Sequence, residues 1–461
     1  MLFFNIVLYN YIGGISMDLY NELRNKYDTF IFENYELEEL ENSIKITYNF
    51  IIPNLTTFKP TIQINKCKIT QYLKYLIFHI GLVELVSYWK CTCSKNVIIK
   101  AGYINQEQIN WFKKLYFHGL GELFYTNNIS TNYDDFMNIT CVIEKEEIEI
   151  PNYNGIGNLI PIGGGKDSNV TLEILKNEFS NNNPYIINPK EIHINCSKAA
   201  GYPQEKIITV KRTIDKNLID LNKQGFINGH TPFSAIVAFT SFLSAYFNNK
   251  KYIVLSNESS ANESNVEGTK INHQYTKSYE FENDINEYTK KYFKIDIKYF
   301  SLLRPLTEYQ IGMLFSKYEK YHNIFKSCNV GSKSIPWKWC CNCPKCLFVY
   351  TILSPFLYKE KLINIFGEDL FENKELLNTF IELTGFGKNK PFECVGTYKE
   401  VRYAITKAIA KLDKLPYLLD YYKDNYPLED LNINLETEYN SENNLDKHFE
   451  ELLKEELEKY V

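Results

Sequence analysis

The sequence predicts an α/β protein: a mostly parallel sheet with helices on both faces, an α+β region before it and a helical extension after it. Three observations carry this. From about residue 151 short apolar runs alternate with amphipathic stretches, the rhythm of strand–helix–strand units whose strands pair in parallel. A glycine run, Gly163-Gly164-Gly165, separates one such strand from the helix behind it, at the strand ends where this architecture binds ligands. From about residue 351 the strand signals cease and helical spacing takes over.

Within residues 17–150, Thr29 to Glu33, Ser43 to Ile52 and Thr61 to Ile64 read as short antiparallel strands. Gln71 to Trp89 has helical apolar spacing, Val97 to Lys100 reads as a strand, and Gln106 to Leu115 as a second helix. The region 151–350 opens with the apolar strand Asn158 to Ile162, backed by an amphipathic helix from Asp167 to Phe179. Ile192 to Cys196 and Lys206 to Val210 read as the next strands. Thr231-Pro232 places an N-cap residue before a proline at the first helical position and opens an apolar helix to Tyr246. Tyr252 to Leu255 is a strand, Tyr279 to Tyr292 a helix, and Asp296 to Leu303 a strand closed by Arg304-Pro305. Residues 351–461 read as helical, and the acidic tail ends in Leu445 to Tyr460, with the spacing of a solvated amphipathic helix. Residues 1–16 are apolar without Lys or Arg, so they lack the positive segment of a secretory signal. They are expected to be an over-extended start, with Met17 an alternative one, or a packed strand.

A chain of 461 residues is long enough for two or three domains. With 44% hydrophobic and 23% charged residues it falls among globular proteins. A net charge of −5, with Lys and Arg dispersed among acids, argues against a nucleic-acid partner. No later stretch approaches the ~20 apolar residues of a membrane helix. The eleven cysteines are odd in number and five lie between Cys328 and Cys346, which suits a thiolate metal site in a reducing compartment rather than a disulfide framework. The expectation is a cytoplasmic protein, with oligomeric state left open.

The glycine run continues as Lys166-Asp167-Ser168. Consecutive glycines let the backbone adopt positive φ and approach a ligand without Cβ clashes. Successive N–H groups then form an anion cradle, reinforced by the positive end of the following helix. Lys166 can set an ammonium against phosphate, the Ser168 hydroxyl can donate to it, and Asp167 can cap the helix or hold Mg²⁺. The string is not a Walker A loop, because Asp167 stands where that pattern has Ser or Thr, and it is not the spaced-glycine dinucleotide fingerprint. It resembles the Ser-Gly-Gly-x-Asp-Ser loop of the ATP-pyrophosphatase superfamily, with Gly163 in place of the leading serine.

Cys328, Cys340, Cys343 and Cys346, with Cys341 to spare, can wrap four thiolates around a tetrahedral, structural Zn²⁺. An iron–sulfur cluster accepts the same ligands, and buried free thiols are the bland alternative. A similar knuckle is found in 7-cyano-7-deazaguanine synthase of the same superfamily.

Further strings sharpen the resemblance: Gly119-Leu-Gly-Glu-Leu-Phe-Tyr125, Ser256-Asn-Glu-Ser-Ser-Ala-Asn262, Asn272-His-Gln-Tyr-Thr-Lys-Ser278, Arg304-Pro-Leu and Lys390-Pro-Phe-Glu-Cys-Val-Gly-Thr397. With the loop and the knuckle, they make residues 100–400 similar to the UDP-N-acetylmuramoyl-L-alanyl-L-glutamate epimerases of the MurL type. The resemblance implies an adenine-nucleotide α-hydrolase-like fold. It also implies ATP-dependent inversion of the terminal glutamate of UDP-MurNAc-L-Ala-L-Glu, a nucleotide-sugar dipeptide, with AMP and diphosphate released. A carboxylate beside Cα suppresses loss of the Cα proton; adenylation removes that charge. Gly163, Gly164, Gly165, Lys166, Asp167 and Ser168 would bind the nucleotide. Glu258, after an apolar strand, would meet Mg²⁺ or the substrate. His273 in a polar loop and Cys394 beside Glu393 join Lys166 as catalytic candidates, with Cys196, at a strand end, a weaker second thiol. The competing readings are another adenylating enzyme that forms an amide or nitrile, and a nucleotide-binding scaffold without catalysis.

Overall fold

The computed structural model describes residues 17–460 apart from 146, 264–271, 389 and 433, so the expectation for residues 1–16 lies outside the described residues. Among these, eleven strands form one sheet. They are β1 (Thr29–Glu39), β2 (Ser43–Ile52), β3 (Thr56–Phe58), β4 (Thr61–Asn65), β5 (Asn96–Ile99), β6 (Asn138–Cys141), β7 (Asn158–Pro161), β8 (Asn182–Ile187), β9 (Ile208–Thr213), β10 (Tyr252–Leu255) and β11 (Lys298–Ser301). The order is β11-β10-β7-β8-β9-β4-β2-β1-β5-β6, with β3 on β2. The five strands β11 to β9 are parallel. β4 then joins them antiparallel, Thr61 opposite Thr213 and Gln63 opposite Lys211, so the N-terminal strands continue the same sheet. β1, β2 and β4 pair antiparallel as the sequence predicts, while β1 and β5 run parallel.

Successive residues of a strand face opposite sides of the sheet, and here both sides are buried. Leu159, Tyr185, Ile253 and Tyr299 enter one apolar core with the helices Gln71–Trp89, Gln106–Gly119, Phe233–Phe247 and Tyr279–Tyr288. Their neighbours Ile160, Ile186, Val254 and Phe300 enter a second core with Lys166–Ile174, Glu308–Lys317, Pro344–Leu353 and Tyr398–Lys411. Helices thus cover both faces, and the chain beyond residue 353 is helical. The helix Gln71–Trp89 is buried almost all round; its Glu84 is held by a bidentate contact from Arg212 of β9, at 2.8 and 2.7 Å. No helix of the described residues is long and apolar enough to cross a membrane.

Two expectations are corrected. Ile192–Cys196 is not a strand but part of the helix Glu191–Ala199, whose buried Ile192, His193, Cys196 and Ser197 follow helical spacing. The strand lies earlier, at β8, where Pro184 and two asparagines disguise it. The tail helix, Lys447–Glu458, is not simply solvated: the Phe449 ring meets Tyr252 edge-on at 4.9 Å and lies tilted 4.7 Å from Phe300, so this helix is docked on β10 and β11.

Candidate functional site

From β7 the chain builds β8 and β9 to one side, while β10 and β11 lie on the other. The crevice beyond the carboxyl ends of β7 and β10 is therefore the switch point of the parallel segment, the place where open α/β sheets bind ligands. Gly163–Gly165 leaves β7 into this crevice, and Ser256–Glu258 leaves β10 into it.

Gly164 has φ +77°, and a Cβ there would lie 2.9 Å from the His193 ring. Gly165 is the N-cap of the helix Lys166–Ile174, and Gly163 is exposed with no atom within 4 Å of an added Cβ. Gly164→Ala is therefore expected to cost roughly 1–3 kcal/mol in strained backbone alone, read as a lower urea midpoint. Gly163→Ser should stay within ~0.5 kcal/mol of the parent; an equal loss from both would mean the loop is held differently.

The Lys166 ammonium is buried and ion-paired to the Asp167 and Glu308 carboxylates. Burial opposes its charge, but the two acids outweigh burial and raise its pKa. Asp167 is pulled below the usual carboxylate range, against burial, by Lys166 and Lys345. Glu308, fully buried, is pushed up to about 8 by burial, against the pull of Lys166; its own N–H donates to Glu400 at 2.7 Å. The Ser168 hydroxyl donates to the Gly165 carbonyl at 3.2 Å. Glu258 is buried at the end of β10, and its backbone carbonyl accepts from Arg304 at 2.9 Å. Arg304 also donates to the Lys277 carbonyl and to Glu282, tying these segments together.

Beside the loop stands a second set of groups. The Lys277 ammonium donates to the Cys394 Sγ at 2.9 Å. His273 contacts Glu122 through Nδ1 and also hydrogen-bonds Cys394. His230 approaches the same Glu122 oxygen, at 3.6 Å, with its ring 4.4 Å from that of His273. The Cys394 thiol is brought down to about 6, against burial, by Lys277 first and then by His273 and Lys345. His273 is pushed up to about 10, again against burial, by Cys394 and Glu122. The pair is thus a thiolate facing an imidazolium across neutral pH. His230 is driven down to about 4 by burial and by His273, and is neutral there. Lys277 and Lys345 act electrostatically on Asp167 as well as on Cys394, so loop and thiol share one site.

Cys328, Cys340, Cys343 and Cys346 converge, with Sγ separations of 3.7, 3.7 and 3.5 Å. A disulfide would require about 2.05 Å. Four thiolates at about 2.3 Å from a tetrahedral Zn²⁺ stand about 3.8 Å apart, so the cluster fits that metal. Cys343 caps the helix Pro344–Leu353, whose second residue, Lys345, donates to the Cys394 carbonyl. The knuckle thereby anchors a cation of the site.

Lys166, Asp167, Glu258, His273 and Cys394, predicted from the sequence, come together. Cys196 does not: it is buried in a helix under the loop, its thiol pushed up to about 11 by burial. Glu122, His230, Lys277, Glu308 and Lys345 were not singled out. Glu122 and Lys277 lie inside strings already noted and Lys345 inside the knuckle, whereas Glu308 carries no local signal.

By fold and site, the chain is an α/β protein that sets a glycine loop at a sheet switch point beside a charged cysteine–histidine cluster. A MurL N-terminal domain model matches residues 21–302 and a MurL C-terminal domain model residues 324–417. A protein of Xanthomonas oryzae named UDP-N-acetyl-alpha-D-muramoyl-L-alanyl-L-glutamate epimerase is 33% identical over 333 residues, 70% of this chain and 72% of its own length. Proteins of the same name from Micromonospora and Salinispora tropica are 30% identical over 399 residues (84% and 88% covered) and 32% over 328 residues (70% and 70%). The chain belongs to the MurL family.

Proposed function

We propose that this chain inverts the terminal L-glutamate of UDP-MurNAc-L-Ala-L-Glu to the D form, with ATP activating the glutamate carboxylate and AMP and diphosphate as products. The observation that carries it is the switch-point crevice, where the Gly163–Ser168 cradle and the Cys394–His273 pair face one space; the names of the relatives supply the substrate. Gly163, Gly164 and Gly165 offer backbone N–H groups to the phosphates, and Ser168 a hydroxyl. Asp167 and Glu258, oxygen donors on either side of the crevice, would hold Mg²⁺, which screens phosphate charge when bound. Adenylation turns the carboxylate into a neutral electron sink, so the Cα proton becomes removable. His273 and Cys394 are the titratable groups beside it. This reading carries with it the fold of the ATP-pyrophosphatase superfamily, a zinc knuckle and a cytoplasmic precursor pathway.

Incubating the chain with ATP, Mg²⁺ and UDP-MurNAc-L-Ala-L-Glu should yield D-glutamate on chiral analysis, with AMP formed only when substrate is present. An ammonia-dependent product without D-glutamate would assign the chain instead to an amide- or nitrile-forming adenylating enzyme, the reading that the shared knuckle favours.

A further inference from the structure

Three features place a nucleophile at the site. Cys394 Sγ accepts from the Lys277 ammonium at 2.9 Å. His273 lies beside the same sulfur and lowers its pKa, and its Nδ1 contacts the Glu122 carboxylate. The backbone carbonyl of Cys394 is held by Lys345. A nucleophile beside an imidazole, with that imidazole oriented by a third group, is the arrangement by which acyl groups are taken onto side chains, whatever the fold. A carboxylate–imidazole–thiol chain with an added ammonium exceeds what a thiol needs merely to pack.

We propose that Cys394 takes the activated glutamyl group from the adenylate, so that inversion at Cα occurs on a thioester. This rests on the ATP-dependent reading above. The thiolate attacks the acyl carbon; the S–C bond forms, and the C–O bond to phosphate breaks with its electron pair leaving on AMP. The Cα proton is then removed and returned on the opposite face, with no net change. Water finally attacks the thioester carbonyl: the new C–O bond forms, the C–S bond breaks, the thiolate leaves with its pair beside the His273 imidazolium and the Lys277 ammonium, and the proton released passes to solvent. The sum is ATP and water to AMP, diphosphate and a proton. Glu122 and Lys277 are positioning residues, the first for the imidazole and the second for the thiolate.

The charges around Cys394 favour this role over direct proton abstraction. Lys277 and His273 stabilise the thiolate and so weaken it as a base toward a carbon acid, while keeping it ionised as a nucleophile and competent as a leaving group. A thioester retains the neutral carbonyl that Cα deprotonation needs, and it frees the phosphate loop of AMP before inversion.

The test is rapid acid quench of the full chain with ATP, Mg²⁺ and UDP-MurNAc-L-Ala-L-Glu, followed by intact-mass and peptide mass spectrometry. An adduct of substrate mass less water on the Cys394 peptide, released by neutral hydroxylamine as the hydroxamate, is expected. Cys394→Ala should lose the adduct and at least ~100-fold in D-glutamate formation, while still releasing diphosphate in a first turnover. Cys394→Ser should trap a hydroxylamine-resistant ester. Glu122→Gln should slow adduct formation with little change in substrate KM. D-glutamate and AMP at parent rates from Cys394→Ala, or no adduct in the parent during turnover, would overturn the thioester while leaving the ATP-dependent reading intact. A chelator-sensitive ion bound by Glu122, His230 and His273, beyond one zinc per chain, would also overturn it. Absence of AMP altogether would instead remove the reading beneath it.

Discussion

Lys166→Ala is expected to abolish AMP formation and to destabilise the protein together. Its ammonium is buried against Asp167 and Glu308, and removing one partner of a buried pair costs about 3–5 kcal/mol because the other charge is left without compensation. On the proposed reading, loss of this cation from the phosphate site adds roughly 10²–10³-fold in rate. The two effects separate by pH. Glu308 is held up at about 8 by burial even with Lys166 pulling down, so without Lys166 it rises further. An acid whose folded pKa is raised is stabilised in its protonated form. The variant should therefore be most stable below the ordinary glutamate value of about 4.3 and lose stability as pH climbs toward the folded value. Urea midpoints should fall with pH in both proteins up to about 8, where the parent levels off and the variant continues to fall. Lys166→Ala/Glu308→Gln should recover much of the midpoint, with ΔΔG well below the sum, yet form no AMP. A flat pH dependence would mean that Glu308 finds another partner.

The second large effect is expected at the knuckle. A four-thiolate zinc site contributes roughly 10–16 kcal/mol of apparent binding energy to folding, comparable with the whole stability of an ordinary domain, about 5–15 kcal/mol. Cys343→Ser should empty the site, unfold the segment around it and inactivate the enzyme. Cys343 is also the N-cap of the helix that presents Lys345 to Cys394. Cys341→Ser is the control: this thiol turns away to the Phe366 carbonyl at 3.2 Å, so its removal should leave one zinc per chain. Elemental analysis with thermal unfolding decides it; metal-free protein of parental stability would dispose of the zinc site.

What could be read in the sequence was local chemistry. The glycine turn, the cysteine spacing and the strand–helix rhythm are each contained within a few residues, and apart from Ile192–Cys196 the structure contains the strands and helices they signal. Cys394 could be picked because it lies outside the knuckle, and His273 because its loop is polar. The partners that tune them could not. Glu122, His273 and Cys394 lie on three distant segments, and nothing in Glu308's own stretch distinguishes it from a solvated first-turn acid of its helix. β8 escaped for a different reason, since Pro184 is an unusual residue in an interior strand. The error at Ile192–Cys196 is the usual ambiguity of a short apolar run, which fits either period.

The seam between β4 and β9 bears on how the chain is made. β4 lies between β2 and β9, so on a ribosome its outer edge is complete at Asn65 but stays uncovered until Thr213 has emerged. During that interval a row of unpaired backbone donors and acceptors is open to any other strand, the circumstance in which nascent chains aggregate or exchange segments. Arg212, which closes onto Glu84, arrives in the same few residues and neutralises an acid otherwise buried alone. The order of synthesis thus makes β9 the piece that both seals the exposed edge and compensates the charge, and a fragment ending at residue 150 would have neither.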